Sequence, residues 1–200
     1  MNQKNNIAVI IPAAGSSSRF GGKISKQFLK IGNETVIEKS VNKFLEIESV
    51  KKIYIAIDPN ETLIKSQSFF KHPKVSITQG GSTRSESVYN AVLAIDNEID
   101  IVVIHDAARP WVSKKLINKL ILEFMNDQST QGFYPVISII DSLRMKQGKE
   151  LIPVDREDFL TIQTPQIFQK ESLKIALNKM IEENLSFTDE SQAMERAGFR

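Results

Sequence analysis

A three-layer α/β fold with a mostly parallel sheet is predicted by three features of this sequence. Short apolar, β-rich runs alternate with stretches of helical periodicity, the signature of βαβ units. The run Ile101-Val102-Val103-Ile104 is continuously apolar, as expected of a strand covered by helices on both faces. The chemically suggestive residues cluster in the loops that follow such runs, where open parallel sheets bind ligands. The 200 residues are read as one domain, able to bury roughly 70% of the surface its unfolded form exposes.

Strands are expected at 7–11, 53–57, 75–78 and 101–104. Thr35 and Glu38 stand at capping-box spacing and open a helix with Val36, Ile37, Val41, Phe44 and Leu45 on one face. Thr83 and Glu86 repeat the box before Val88, Ala91, Val92 and Ile95. Ser113 opens a third helix carrying Leu116, Ile117, Leu120, Ile121 and Phe124. Between 138 and 158 the pattern changes to two short strands about a Gln147-Gly148 turn, a hairpin with so little core-facing surface that it needs a partner. Helices are expected near 170–183 and 189–197, the second with Thr188 as N-cap and Gly198 beyond its end.

Composition excludes several classes of function. Lys+Arg 26 against Asp+Glu 24 leaves a net charge of +2, too little for a nucleic-acid-binding face. No cysteine is present and only two histidines, which removes disulfides, thiolate metal sites and a His-built zinc site. The polar start of the chain and the lack of any apolar run near the ~20 residues that span a bilayer read as soluble and cytoplasmic, with no membrane partner.

The loop after the first strand reads Pro12-Ala13-Ala14-Gly15-Ser16-Ser17-Ser18-Arg19-Phe20-Gly21-Gly22-Lys23, followed by Lys26-Gln27-Phe28-Leu29. Small residues let backbone N–H groups approach a polyphosphate, and Arg19, Lys23 and Lys26 supply positive charge; a plain surface turn with solvated lysines has the same composition. The spacing is neither a P-loop nor a dinucleotide fingerprint. Asp106, just past an apolar strand, suits Mg²⁺ held against phosphates, and equally suits a turn former or cap. His105 and Arg109 read as structural, the arginine bracing its loop. Asp155-Arg156 reads as an exposed ion pair or an anion contact, and Thr188 as a cap or a ligand.

In the first loop, in Gly80-Gly81-Ser82-Thr83-Arg84-Ser85-Glu86-Ser87, in His105-Asp106-Ala107-Ala108-Arg109-Pro110 and in Thr164-Pro165-Gln166, the chain closely resembles the 2-C-methyl-D-erythritol 4-phosphate cytidylyltransferases. The likeness runs over nearly its whole length. It implies a Rossmann-like nucleotidyltransferase fold with a projecting β-hairpin arm, and transfer of CMP from CTP to 2-C-methyl-D-erythritol 4-phosphate in isoprenoid precursor synthesis. Arg19 and Lys26 are then the catalytic cations. Ala13, Ala14, Gly15, Gly81, Ser82, Ser87 and Ala107 contact CTP, Asp106 holds Mg²⁺, and Arg156, Thr164 and Thr188 hold the acceptor. The 138–158 arm makes a homodimer and lends Arg156 to the neighbour's site.

The resemblance departs at Ser82, where some relatives carry an acid. Relatives also continue past Arg200 into a further strand and helix with a triphosphate-binding lysine, so that the family's C-terminal elements are expected to be missing here. A ribitol 5-phosphate cytidylyltransferase and a catalytically silent nucleotide-binding module are the competing expectations.

Overall fold

The structure, a computed structural model, describes residues 6–15, 24–127, 129–185 and 187–199. Strand β1 (Ile7–Pro12) lies at the centre, and Ile7, Ala8, Val9, Ile10 and Ile11 are all fully buried. Such a strand has no solvent face, which is why its sequence does not alternate. The chain continues through the short ribbon β2 (Lys30–Ile31) and β3 (Glu34–Thr35), helix α1 (Val36–Leu45), β4 (Val50–Ile57), β5 (Val75–Gln79), α2 (Arg84–Leu93), β6 (Ile101–Ile104) and α3 (Lys114–Asn126). Then come β7 (Gly132–Phe133), β8 (Val136–Ser138), β9 (Leu143–Gln147), β10 (Glu150–Val154), β11 (Leu160–Ile162), β12 (Gln166–Gln169), α4 (Lys170–Glu182) and α5 (Glu190–Arg196).

The main sheet has the order β5-β4-β1-β6-β12-β7. The first four are parallel, and β12 runs antiparallel to both β6 and β7. Alternate residues of β1 feed two cores. Ile7, Val9 and Ile11 pack with α1 and α3, while Ala8 and Ile10 pack with α2, α4 and α5. The chain leaves β1 for β4 on one side and later returns to β6 on the other, so the strand order reverses beside β1. A crevice opens at such a point, past the carboxyl ends of the strands.

Local chemistry sets the helix starts. At α1 the capping box is complete: Thr35 accepts from the Glu38 N–H at 3.3 Å and Glu38 accepts from the Thr35 N–H at 2.8 Å. At α2 only half of the expected box forms. Thr83 accepts from the Glu86 N–H, but the Glu86 carboxylate takes the Ser82 N–H and hydroxyl, both at 2.7 Å. Ser113 caps α3 as expected, whereas Leu116, assigned to its buried face, is 36% exposed in the first turn.

Two expectations are corrected. Asp189, not Thr188, caps α5, accepting from the Gln192 N–H at 3.0 Å; a carboxylate there also meets the positive end of the helix. Thr188 instead donates its N–H to the Gln192 side chain. In the hairpin, Gln147 pairs with Glu150, so the turn residues are Gly148 and Lys149, and Gly148 supplies the positive φ of 60° that a tight hairpin needs. No described helix is long and apolar enough to cross a membrane.

Candidate active site

The crevice predicted by the topology is a cleft of about 750 Å³, within the range of small-molecule sites. Its walls are the ends of the four parallel strands, β4 contributing Asp58. Ala13, Ala14 and Gly15 follow β1, Gly81, Ser82, Arg84 and Ser87 follow β5, and Asp106, Ala107 and Arg109 follow β6; Lys26 and Gln27 close one side. The nucleotide residues expected from sequence are thus gathered in one place. Arg19 lies outside the described residues.

The glycine pair is required by close approach. A Cβ on Gly80 would stand 2.3 Å from that of Ala14, and one on Gly81 2.3 Å from Cγ of Glu86. The Gly81 N–H donates to Ser87 Oγ at 3.0 Å, and that hydroxyl donates to the Thr83 carbonyl at 2.8 Å. What Ser87 still offers the cleft is a lone pair. Ala13 donates its N–H to Ala56, extending the sheet, while its carbonyl accepts from buried Gln27, whose amide also reaches the Gly15 carbonyl. Gln27, given no role from sequence, shapes this loop.

Asp106 sits between two arginines. Arg84 Nε donates to one carboxylate oxygen at 3.1 Å and Arg109 Nε to the other at 2.9 Å. Burial pushes its pKa up, but the two guanidinium groups outweigh this and hold it below the ordinary carboxylate value. Each oxygen keeps a lone-pair direction, so the residue fits a single protein ligand to Mg²⁺, an ion that takes few carboxylates and completes its shell with phosphate and water oxygens. Arg109 also donates to the Gln163 side chain, the bracing role expected of it.

His105 is structural, as its sequence setting indicated. The ring is fully buried. Its Nε2 lies 3.0 Å from the Arg109 carbonyl, which can only accept, so Nε2 carries the proton and Nδ1 accepts from the Thr164 hydroxyl at 3.0 Å. Burial lowers its pKa to about 4, which keeps it neutral. Thr164 thereby spends its hydroxyl proton on His105 while accepting weakly from the Asp106 N–H at 3.4 Å.

The acceptor residues are not gathered in the same way. Arg156, Thr164 and Thr188 do not line the cleft. Arg156 lies on the arm and donates to the Ile140 carbonyl, and Thr188 is exposed before α5. Sequence reasoning missed Glu190, which is fully buried and accepts from Arg84 Nη1 at 2.7 and 2.9 Å. It lies in the first turn of a helix, where a charged residue is ordinarily solvated. Arg84 stood within a motif already singled out but received no role.

The family model for 2-C-methyl-D-erythritol 4-phosphate cytidylyltransferase matches residues 7–200. The chain belongs to this family. It is 34% identical to the enzyme of that name from Haemophilus ducreyi, over all of this chain and 86% of the relative, and 33% identical to that of Actinobacillus pleuropneumoniae over 97% and 84%. The crystal structure of the Francisella tularensis cytidylyltransferase superposes with a TM-score of 0.83 at 32% identity, over 98% of this chain and 88% of that one. The bifunctional enzyme of Campylobacter jejuni matches at 0.80 and 31% identity, over 98% of this chain and 48% of its own. Membership in this family makes the protein a cytidylyltransferase.

Proposed function

We propose that this protein transfers CMP from CTP to 2-C-methyl-D-erythritol 4-phosphate. An oxygen of the acceptor's phosphate attacks the α-phosphorus in line; the new O–P bond forms as the bond to the β-phosphate oxygen breaks and pyrophosphate leaves. The observation that carries this reading is the cleft at the strand ends, which joins the small residues Ala13, Ala14 and Gly15, a cation at Lys26, a carboxylate at Asp106 and the backbone at Gly81 beside Ser87.

Lys26 and Arg19 are assigned to the charge that accumulates on the transferring phosphoryl group, where a positioned cation favours the transition state over the ground state. Asp106 is assigned to Mg²⁺. Bound there, the ion would supply positive charge to the triphosphate beside that of the side-chain cations. The Ser87 lone pair complements the amino group of cytosine and opposes the carbonyl of uracil in the same place, and a mismatched polar edge costs ~1 to 3 kcal/mol. Ala14, Gly15, Ser82 and Ala107 complete the nucleotide contacts, and Arg156, Thr164 and Thr188 are assigned to the acceptor. For Thr164 to donate to a phosphate, its bond to His105 must be given up.

Arg156 serves this role from a second copy. The arm leaves Ile137 and Ile140 exposed, with Leu151 and Leu160, an apolar set that a homodimer contact would cover.

The test is pyrophosphate release with Mg²⁺, CTP and 2-C-methyl-D-erythritol 4-phosphate, beside UTP and ribitol 5-phosphate controls. Release confined to the first pair is expected. Equal release with ribitol 5-phosphate would remove the acceptor assignment, and equal release with UTP the role of Ser87.

A further inference from the structure

Glu190 is the only buried carboxylate among the described residues. It does not line the nucleotide cleft, yet the residue it holds does. The Nη1 of Arg84 sits between its two oxygens, and the Nε of the same guanidinium donates to Asp106 at 3.1 Å. Because a guanidinium is a rigid plane, fixing Nη1 on Glu190 fixes the direction in which Nε points. The contact joins positions 106 residues apart in sequence.

Stability alone does not account for a carboxylate here. Withdrawing an ion from water costs several kcal/mol, and apolar side chains of the same volume are often as good or better for stability. Helix α5 already has an apolar anchor, since Ala193 and Met194 pack against the α2 and α4 side of the sheet. Its first turn is tied at a second point, where the Ser191 N–H donates to the buried Gln166 side chain at 3.2 Å. What the ion pair adds, and an apolar pair would not, is an oriented donor aimed at Asp106.

We propose that Glu190 and Arg84 form a positioning relay that sets the Asp106 carboxylate for the nucleotide and its metal ion, and that couples this carboxylate to the start of α5, next to Thr188. The relay rests on the reading of the cleft given above. Glu190 acts through Arg84 and touches no substrate. Arg109 holds the second oxygen of Asp106 independently, so loss of the relay leaves that carboxylate anchored on one side and free to rotate on the other.

The experiment is calorimetric titration of CTP, with and without Mg²⁺, into the unsubstituted protein, Glu190→Gln, Asp106→Asn and the double variant. Mg²⁺ should tighten CTP binding to the unsubstituted protein. Glu190→Gln, nearly isosteric and still able to accept from Arg84, should lose about tenfold of that gain, ~1.4 kcal/mol, with little change in metal-free affinity. The double variant should lose no more than Asp106→Asn alone, because residues acting through one contact are not additive. A Mg²⁺ gain that survives Glu190→Gln, or losses that multiply in the double variant, would overturn the relay. Should Glu190→Gln fail to fold, Arg84→Lys carries the same test, since a point charge keeps a cation opposite Glu190 without reaching both carboxylates. Failure of the unsubstituted protein to bind CTP in either condition would overturn the cleft reading, and the relay with it.

Discussion

Around the cleft, β1 and β6 are buried on both faces and the charged groups are held by one another, Asp106 by Arg84 and Arg109, and Arg84 by Glu190. Along the arm, from β8 to β11, the strands pair only in twos, and apolar side chains face solvent, Ile140 at 82% exposure. If it takes the triphosphate proposed above, the cleft meets it with charged groups already held by one another. The arm has the reverse character, with little buried apolar surface of its own, and isolated two-stranded ribbons are marginal in water. Substitutions in the first region should therefore act on chemistry and folding, and those in the second on association.

The largest effect is expected at Lys26. Lys26→Ala should reduce kcat roughly 10²- to 10³-fold, the usual cost of removing one preorganised group that stabilises transition-state charge. CTP affinity should change little, because the interaction is strongest at the transition state. Steady-state kinetics beside a CTP titration checks this. A loss confined to KM would make Lys26 a binding residue only and weaken the contrast between a chemical and an associative region.

Gly80→Ala asks whether the cleft wall is as tight as its geometry indicates. The added Cβ meets Ala14 at 2.3 Å and the Ile57 carbonyl oxygen at 3.2 Å, and backbone does not yield as a flexible side chain does. Overpacking of this kind costs about 1 to 3 kcal/mol. Urea denaturation should show that loss together with weaker CTP binding. Unchanged stability would mean that the loop after β1 has room to move, and the cleft would lose its claim to rigidity.

His105 makes a pH test of the same region. Its pKa falls from 6.5 to about 4 on folding, because burial disfavours the charged ring. Between those values the unfolded chain binds more protons than the folded one, so stability rises with pH and is lost as pH falls below 6.5. Between pH 7 and pH 5 the loss from this residue is about 2 kcal/mol. The loss over that range should be smaller by this amount in His105→Gln. If both proteins lose stability equally over that range, the histidine is not held neutral.

The sequence carried the parallel strands, the three helices that follow them and the loops that line the cleft, because each rests on local signals: apolar runs, Ser and Thr at capping spacing, small residues before cations. The Glu190–Arg84 contact was not legible. Whether a charged residue at a helix start is solvated or buried depends on which strand end lies opposite, and 106 residues separate the partners. The Thr188 cap failed on a one-residue choice between two good capping residues. Leu116 showed a period that marks a helix without fixing how far its apolar face wraps. The arm's lack of core-facing residues was legible, although the position of its turn was not.

The smallest effect on folding is expected from the arm, and it bears most directly on the comparison. Leu160 pairs with Ser138 at the base of the arm, and Ile140 lies just beyond. If these side chains form the contact between two copies, the protein should sediment at twice 22.6 kDa, and the double substitution Ile140→Glu with Leu160→Lys should sediment as a single chain. At dilutions where both proteins are monomeric, their denaturation should agree within about 0.5 kcal/mol, as for surface substitutions away from the core. Release of pyrophosphate should fall with dissociation if Arg156 serves the neighbouring site. A monomer with full activity would return Arg156 to its own chain, and an arm variant that unfolds the core would make the two regions one cooperative unit.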